Sequence, residues 1–124
     1  MIANAPVTIL IVDDDPDIRS ILVSILDMEG WHSVELDNGH DVFMTIQQQN
    51  PNVILLDVML GDLDGRDICR ELKNSTETKN IPIMIVSATH GYSDTESYGA
   101  NDYLGKPFDL EDLVFKVKRM LAGC

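Results

Sequence analysis

The sequence predicts an α/β protein built on a doubly wound, five-stranded parallel sheet with strand order 2-1-3-4-5 and a shortened fourth helix. Short continuous apolar runs alternate with apolar residues at helical spacing along the whole chain, and this alternation is typical of repeated β–α units. The 124 residues suit five such units in a single domain spanning residues 1–124. Right-handed crossovers between parallel strands then give the predicted order.

Five runs predict the strands. Three are apolar on both faces, as strands between two helix layers must be, and they occupy residues 7–12, 53–56 and 81–86. Residues 31–36 alternate apolar and polar side chains, and residues 101–105 centre on Tyr103 and Leu104. These two weaker runs are predicted to lie at the edges of the sheet.

The first and last helices have the strongest signals. Asp15 and Pro16 supply a cap and a proline at the first helical position, and Gly30 ends the helix that they begin. Asp109 is predicted to cap the final helix, whose apolar stripe ends at Leu121.

The second and third helices are predicted over residues 38–49 and 65–73, which carry apolar residues at helical spacing. Only residues 88–102 separate the fourth and fifth strands, so the fourth helix must be short. A capping-box pattern at 93–96 predicts a single turn over residues 94–98. The predicted architecture is therefore flavodoxin-like.

Charge and composition exclude several classes of protein. Nine Lys and Arg against 21 Asp and Glu give a formal net charge of −12, which repels nucleic-acid phosphates and anionic lipid. No apolar run approaches the ~20 residues of a membrane span, and the chain does not start like a signal peptide. Cys69 and Cys124 form no disulfide framework or metal motif. We therefore expect a cytoplasmic protein without a direct nucleic-acid or membrane partner.

Polar residues follow the predicted strands. Asp13 and Asp14 follow the first strand, Asp57 the third, Ser87 the fourth and Lys106 the fifth. Each has a plain structural explanation, because such carboxylates are often loop residues or helix caps and a lone lysine is often a solvated surface charge. Ligands of doubly wound sheets, however, bind outside the carboxyl ends of the strands, where these residues converge.

Carboxylates gathered at one edge favour a bound cation. At ~4 Å and an effective dielectric constant of ~20, each pair of like charges repels by several kcal/mol. Mg²⁺ suits such a site because it prefers carboxylate oxygens, keeps several waters and leaves room for a phosphoryl group. Lys106 and Ser87 would then offer a positive charge and a hydroxyl donor to phosphoryl oxygens.

Five separated motifs resemble the receiver domain of two-component response regulators, in the same order and over nearly the whole chain. They are residues 9–19 (ILIVDDDPDIR), 55–59 (LLDVM), 63–65 (LDG), 85–88 (IVSA) and 99–108 (GANDYLGKPF). The resemblance implies a partner that is a sensor histidine kinase or a phosphotransfer protein. It also implies a signal passed to an effector domain or a downstream protein.

The resemblance implies a chemical role for each site residue. Asp57 would accept the phosphoryl group by covalent catalysis. Asp14 would bind Mg²⁺ directly and Asp13 directly or through water, with Asp57 and the backbone carbonyl of Met59 completing the set. Lys106 would pair with the acceptor carboxylate and then with the phosphoryl group. The chain would thus catalyse only its own phosphorylation and dephosphorylation, and would not be an enzyme with a separate substrate.

Ser87 and Tyr103 would form the conformational switch of such a domain, although an edge-strand tyrosine also has an ordinary packing explanation. The resemblance implies a cis peptide bond between Lys106 and Pro107. Gly61 departs from the family pattern, which usually has proline there, and predicts a more flexible loop.

Two other functions remain open. A pseudo-receiver would use the same fold to bind proteins without phosphorylation, but the complete set of acidic, hydroxyl and basic residues disfavours it. A Mg²⁺-dependent phosphohydrolase would use an aspartyl nucleophile, but no substrate-specificity segment or additional general acid is evident. The sequence leaves open whether the chain is a stand-alone regulator or part of a longer protein.

Overall fold

The computed structural model describes residues 6–88 and 97–123. The elements in chain order are β1 (Thr8–Val12), α1 (Pro16–Met28), β2 (His32–Leu36), α2 (Val42–Gln49), β3 (Val53–Leu56), β4 (Met59–Leu60), β5 (Leu63–Asp64), α3 (Gly65–Lys73), β6 (Ile83–Ser87), β7 (Asp102–Gly105) and α4 (Leu110–Leu121). The five predicted strands correspond to β1, β2, β3, β6 and β7.

The main sheet has the order β2-β1-β3-β6-β7, and all of its neighbouring strands are parallel. This order is the predicted 2-1-3-4-5 arrangement, so the doubly wound α/β fold is confirmed. Its β1 and β3 lie side by side although α1, β2 and α2 separate them in the chain. The carboxyl ends of β1, β3, β6 and β7 therefore reach the same edge of the sheet.

Two apolar clusters cover the two faces of the sheet. Alternate side chains of β1 point to opposite faces, so Leu10 packs into one cluster and Ile9 into the other. Helices α2 and α3 cover the first face, and α1 and α4 cover the second. The central strands β1, β3 and β6 are buried on both sides, as their continuous apolar sequence predicts.

One predicted helix start and one predicted capping bond need correction. The second helix begins at Val42 and not at residue 38, because the Asn38 side chain accepts a hydrogen bond from the Asp41 amide at 3.1 Å and closes a turn before the helix. Asp109 occupies the capping position of α4, but its side chain makes no capping hydrogen bond. Asp15, in contrast, caps α1 as predicted, by accepting from the Asp17 amide at 2.9 Å.

The predicted one-turn helix over residues 94–98 falls largely outside the described residues. Tyr98, the last residue of that stretch, is buried at 4% exposure and packs against the same face of the sheet as α3. Within the described residues, no helix is long and apolar enough to cross a membrane.

Candidate functional site

Four predicted site residues lie together at the carboxyl edge of the sheet. Asp13 follows β1, Asp57 follows β3, Ser87 ends β6 and Lys106 follows β7. Asp13, Asp57 and Ser87 are buried, at 2%, 7% and 1% exposure. Polar groups are buried only where partners compensate for lost hydration, so this edge is organised around mutual contacts.

Three carboxylates form an acidic cluster at this edge. Asp13, Asp14 and Asp57 each offer an oxygen, and these oxygens lie within 4.8 Å of one another. Asp14 is exposed and the other two are buried, so the cluster opens to solvent on one side. An all-oxygen set with an open side fits Mg²⁺, which takes few protein ligands and retains waters.

Lys106 compensates part of the negative charge. Its ammonium donates to Oδ2 of Asp13 at 2.8 Å and to Oδ2 of Asp57 at 3.3 Å. The peptide bond between Lys106 and Pro107 is cis, as the resemblance implied. The lysine was expected to pair with Asp57, and the structure adds a shorter bond to Asp13.

The pKa values of the pair reflect burial and mutual charge. Burial raises the pKa of the Asp57 carboxyl, and the nearby charge of Asp13 adds to this effect, while Lys106 offsets part of it. Burial lowers the pKa of Lys106, but its hydrogen bond to Asp13 and the charges of Asp57 and Asp13 outweigh burial and raise that pKa. Asp57 is therefore a carboxylate whose ionised form is costly without a cation.

Backbone hydrogen bonds orient the carboxylates. The amide of Asp15 donates to Oδ1 of Asp13 at 2.9 Å, and the Asp57 amide donates to the carbonyl of Val12 at 2.9 Å. The amide of Met59 approaches Oδ1 of Asp57 at 3.4 Å. The Asp13 and Asp57 loops are thus tied to the sheet and to each other through β1.

The segment after Asp57 forms a hairpin that the sequence did not predict. Strands β4 and β5 pair antiparallel, with Met59 opposite Asp64, and Gly61 at a φ of 65° begins the turn between them. A proline cannot adopt this φ, so the departure at Gly61 has a conformational reason. The turn signal is Gly61 followed by Asp62. The strands on either side of it are too short to show an alternating pattern in the sequence.

The hairpin leads back to the end of β3 through Gly65. A Cβ atom on Gly65 would lie 1.9 Å from the backbone oxygen of Asp57, so only glycine permits this approach. The Gly65 amide also donates to the carbonyl of Val58 at 2.7 Å. These contacts fix the backbone immediately before Met59, whose side chain is 67% exposed.

The two predicted switch residues lie on neighbouring strands. Ser87 pairs in register with Gly105, and its carbonyl accepts from the Lys106 amide at 2.9 Å. Tyr103 is partly buried against the cluster under α2 and α3, which agrees with the packing explanation. Its carbonyl accepts from Lys116 of α4 at 2.6 Å.

One residue at the site was missed by the sequence analysis. Arg19 of α1 donates to the backbone carbonyl of Asp13 at 2.7 Å and to Glu35 of β2 at 3.3 Å. Arg19 lies within the first motif, but nothing in the sequence indicates that its side chain turns back toward the end of β1.

The family follows from the whole-chain comparison. A family model described as the response regulator receiver domain matches residues 9–118. The chain belongs to this family. The resemblance to receiver domains is thereby confirmed, and the function is that of a receiver domain in two-component phosphorelay signalling.

Curated relatives of this receiver domain differ in length. Response regulator MprA of Mycolicibacterium vanbaalenii is 38% identical over 120 residues, which cover 94% of this chain and 51% of MprA. Protein PilH of Pseudomonas aeruginosa is 36% identical over 118 residues, which cover 93% of this chain and 98% of PilH. The chain therefore spans about half the length of MprA and nearly all of PilH.

Solved structures of receiver proteins share the fold. The receiver domain of a sensor histidine kinase from Pseudomonas aeruginosa, with a magnesium ion coordinated in its active-site cleft, has a TM-score of 0.85 and 28% identity, covering 95% of this chain and 99% of that one. The response regulator TrrA of Thermotoga maritima, in complex with Mg²⁺ and BeF, has a TM-score of 0.83 and 30% identity, covering 92% and 98%.

Proposed function

We propose that Asp57 accepts a phosphoryl group from a sensor histidine kinase or a phosphotransfer protein in a Mg²⁺-dependent reaction. The observation that carries this proposal is the acidic cluster itself. Three carboxylates offer oxygens within 4.8 Å of one another, and the Lys106 ammonium bridges two of them. Asp13 and Asp57 are buried, and like charges this close are costly unless a cation compensates them.

The Mg²⁺ site is formed by Asp13, Asp14, Asp57 and the backbone carbonyl of Met59. When bound, the ion neutralises charge on the carboxylates and on the phosphoryl oxygens. The hairpin contacts of Met59 support this assignment, because they hold its backbone beside Asp57. The two related structures that contain magnesium support the choice of metal.

The transfer step is a nucleophilic displacement at phosphorus. An oxygen of the Asp57 carboxylate bonds to phosphorus while the bond from phosphorus to the donor's histidine nitrogen breaks, and the released imidazole takes up a proton from solvent. Lys106 stays beside the carboxylate and stabilises the additional negative charge of the aspartyl phosphate. Hydrolysis of the aspartyl phosphate returns the domain to its starting state.

Ser87 and Tyr103 transmit the phosphorylation state. Ser87 offers a hydroxyl at the same sheet edge, and Tyr103 lies on the adjacent strand. In this proposal Ser87 moves toward the phosphoryl oxygens and Tyr103 turns inward with it. The change on the surface near β7 is then recognised by an effector domain or a downstream protein. Residues 1–124 act as one receiver domain whether an effector domain or a downstream protein recognises the change.

Incubation with a small phosphodonor and Mg²⁺, followed by intact mass measurement, tests the proposal. A receiver gains one acid-stable, base-labile phosphoryl group, and this gain disappears in Asp57→Asn. Asp62→Asn is the matched control, because Asp62 is an exposed carboxylate of the neighbouring hairpin. A pseudo-receiver would gain no phosphoryl group, and a phosphohydrolase would turn over a separate substrate continuously; either result would contradict the proposal.

A further inference from the structure

The side chain of Arg19 makes two bonds at the rim of the acidic cluster. One terminal nitrogen donates to the backbone carbonyl of Asp13 at 2.7 Å, and Nε donates to Glu35 at 3.3 Å. The Arg19 side chain is 17% exposed and that of Glu35 is 47% exposed. The arginine therefore spans from α1 across the end of β1 to β2, and it is largely withdrawn from solvent.

The carbonyl that Arg19 holds belongs to the peptide group between Asp13 and Asp14. Both residues carry carboxylates of the acidic cluster. Holding this carbonyl restrains the plane of the peptide, and that plane places the N and Cα atoms of Asp14, from which its side chain leaves the backbone. A bond from a charged donor is also stronger than one between neutral groups.

Three further hydrogen bonds act on Asp13. The Asp13 amide donates to the Leu36 carbonyl at 3.1 Å, and its carboxylate accepts from the Asp15 amide at 2.9 Å and from Lys106 at 2.8 Å. The bonds from the Asp13 amide and from Lys106 act on Asp13 itself, and the bond from the Asp15 amide closes a turn around Asp14, but none of the three holds the carbonyl of the peptide that leads to Asp14. Because Asp14 is exposed, packing contributes little to holding its carboxylate toward the cluster.

We propose that Arg19 is a positioning residue for metal binding, which holds the Asp13–Asp14 peptide so that both carboxylates face the same ion. Glu35 anchors the guanidinium from the opposite side. This inference rests on the proposed Mg²⁺ site of the receiver domain. Partners that orient metal ligands typically change metal affinity 10- to 100-fold when they are removed.

A second effect of Arg19 has the opposite sign. A positive charge close to the cluster repels Mg²⁺, so its removal alone would tighten binding. A positioning role predicts weaker binding in the same variant. The direction of the change in Mg²⁺ affinity therefore separates the two effects.

The test measures the Mg²⁺ dissociation constant of the unphosphorylated domain by calorimetric titration. Arg19→Met keeps the apolar stem but removes the donors, and Arg19→Lys keeps one charged donor. Arg70→Met is the matched control, because Arg70 forms an exposed pair with Asp67 on α3. We expect roughly a 10-fold weaker affinity in Arg19→Met, an intermediate value in Arg19→Lys and no change in Arg70→Met.

An Mg²⁺ affinity of Arg19→Met equal to or tighter than that of the unmodified protein would overturn the inference. If Arg19→Met does not fold, the Arg19→Lys variant decides. Lysine cannot bond to both the Asp13 carbonyl and Glu35 in the same geometry, so an unchanged Mg²⁺ affinity of Arg19→Lys would also overturn the inference. Failure of the proposed Mg²⁺ site itself gives a different result from failure of the role of Arg19. In that case the unmodified protein would show no Mg²⁺ binding that depends on Asp14.

Discussion

The Lys106 ammonium lies 2.8 Å from a carboxylate oxygen of Asp13 and 3.3 Å from one of Asp57. One cation thus serves two buried anions that come from different strands. The arrangement joins the ends of β1, β3 and β7 into one electrostatic unit. Removing Lys106 leaves two buried carboxylates without their cation, whereas removing the Asp57 charge leaves Lys106 paired with Asp13.

Replacement of Lys106 by Met should destabilise the domain in the absence of Mg²⁺. Breaking a largely buried ion pair costs on the order of 3 kcal/mol, because the remaining carboxylates stay desolvated and repel each other. Urea unfolding should show a smaller loss when saturating Mg²⁺ replaces the missing charge. Lys118→Met serves as the control, since Lys118 pairs with Glu29 at 61% side-chain exposure. Equal losses in the two variants would refute the electrostatic role of Lys106.

Asp57→Asn should make the Mg²⁺-free domain more stable at neutral pH. The folded state holds the pKa of Asp57 above its unfolded value of 3.8, so it binds that proton more tightly than the unfolded chain does. The contribution of Asp57 to the free energy of unfolding therefore falls as pH rises from 3.8 through the raised pKa. The additional stability of Asp57→Asn should therefore increase as pH rises through this range and vanish at pH values below it.

Comparison of the two proteins by urea unfolding from acidic to neutral pH checks this sign. The difference between them isolates Asp57 from Asp64, whose pKa is lowered chiefly by its hydrogen bond to Arg66. Asp64 has the opposite linkage, since its stabilising contribution is lost as pH falls through its lowered pKa. A pH-independent difference between the proteins would show that burial does not raise the pKa of Asp57.

The stability cost of a substitution at Gly61 should depend on the backbone conformation and not on the room available for a side chain. Gly61 has a φ of 65°, and a Cβ there would meet nothing within 4 Å. Gly61→Ala should therefore cost about 1 kcal/mol of unfolding free energy, and Gly61→Asn less, because asparagine tolerates the left-handed region. Gly61→Pro should cost more than either, since proline is fixed near a φ of −65°. Equal unfolding midpoints for all three variants would contradict the observed turn.

Magnesium should stabilise the folded domain. A ligand that binds only the folded state at a hundred times its dissociation constant adds ~2.7 kcal/mol to the free energy of unfolding. Thermal melting with and without Mg²⁺ measures the shift, and Asp14→Ala should abolish most of it. A shift that persists unchanged in that variant would place the ion at another site.

The sequence was sufficient for the fold because its strands are buried on both faces and are therefore continuous apolar runs. Residues 53–56, for example, are predicted and observed with the same bounds. The start of α2 was predicted four residues too early, because a side-chain turn at Asn38 competes with the helix for the same backbone. Apolar spacing carries no information about that competition.

The site was predictable where residues directly follow strands and unpredictable where side chains cross between elements. Asp13, Asp57 and Lys106 meet because parallel strands end at one edge of the sheet. The contact from Arg19 to the Asp13 carbonyl depends on a rotamer and on the position of β2, which only coordinates reveal. The hairpin at Gly61 is too short for a period-2 pattern to develop.

Peptide mapping by mass spectrometry, after incubation with a phosphodonor and Mg²⁺, tests whether Asp57 is the phosphoryl acceptor. We expect a single phosphoryl group on the peptide that contains Asp57, none without Mg²⁺ and none in Asp57→Asn. Phosphorylation that is retained in Asp57→Asn on another residue, or that is indifferent to Mg²⁺, would contradict this expectation.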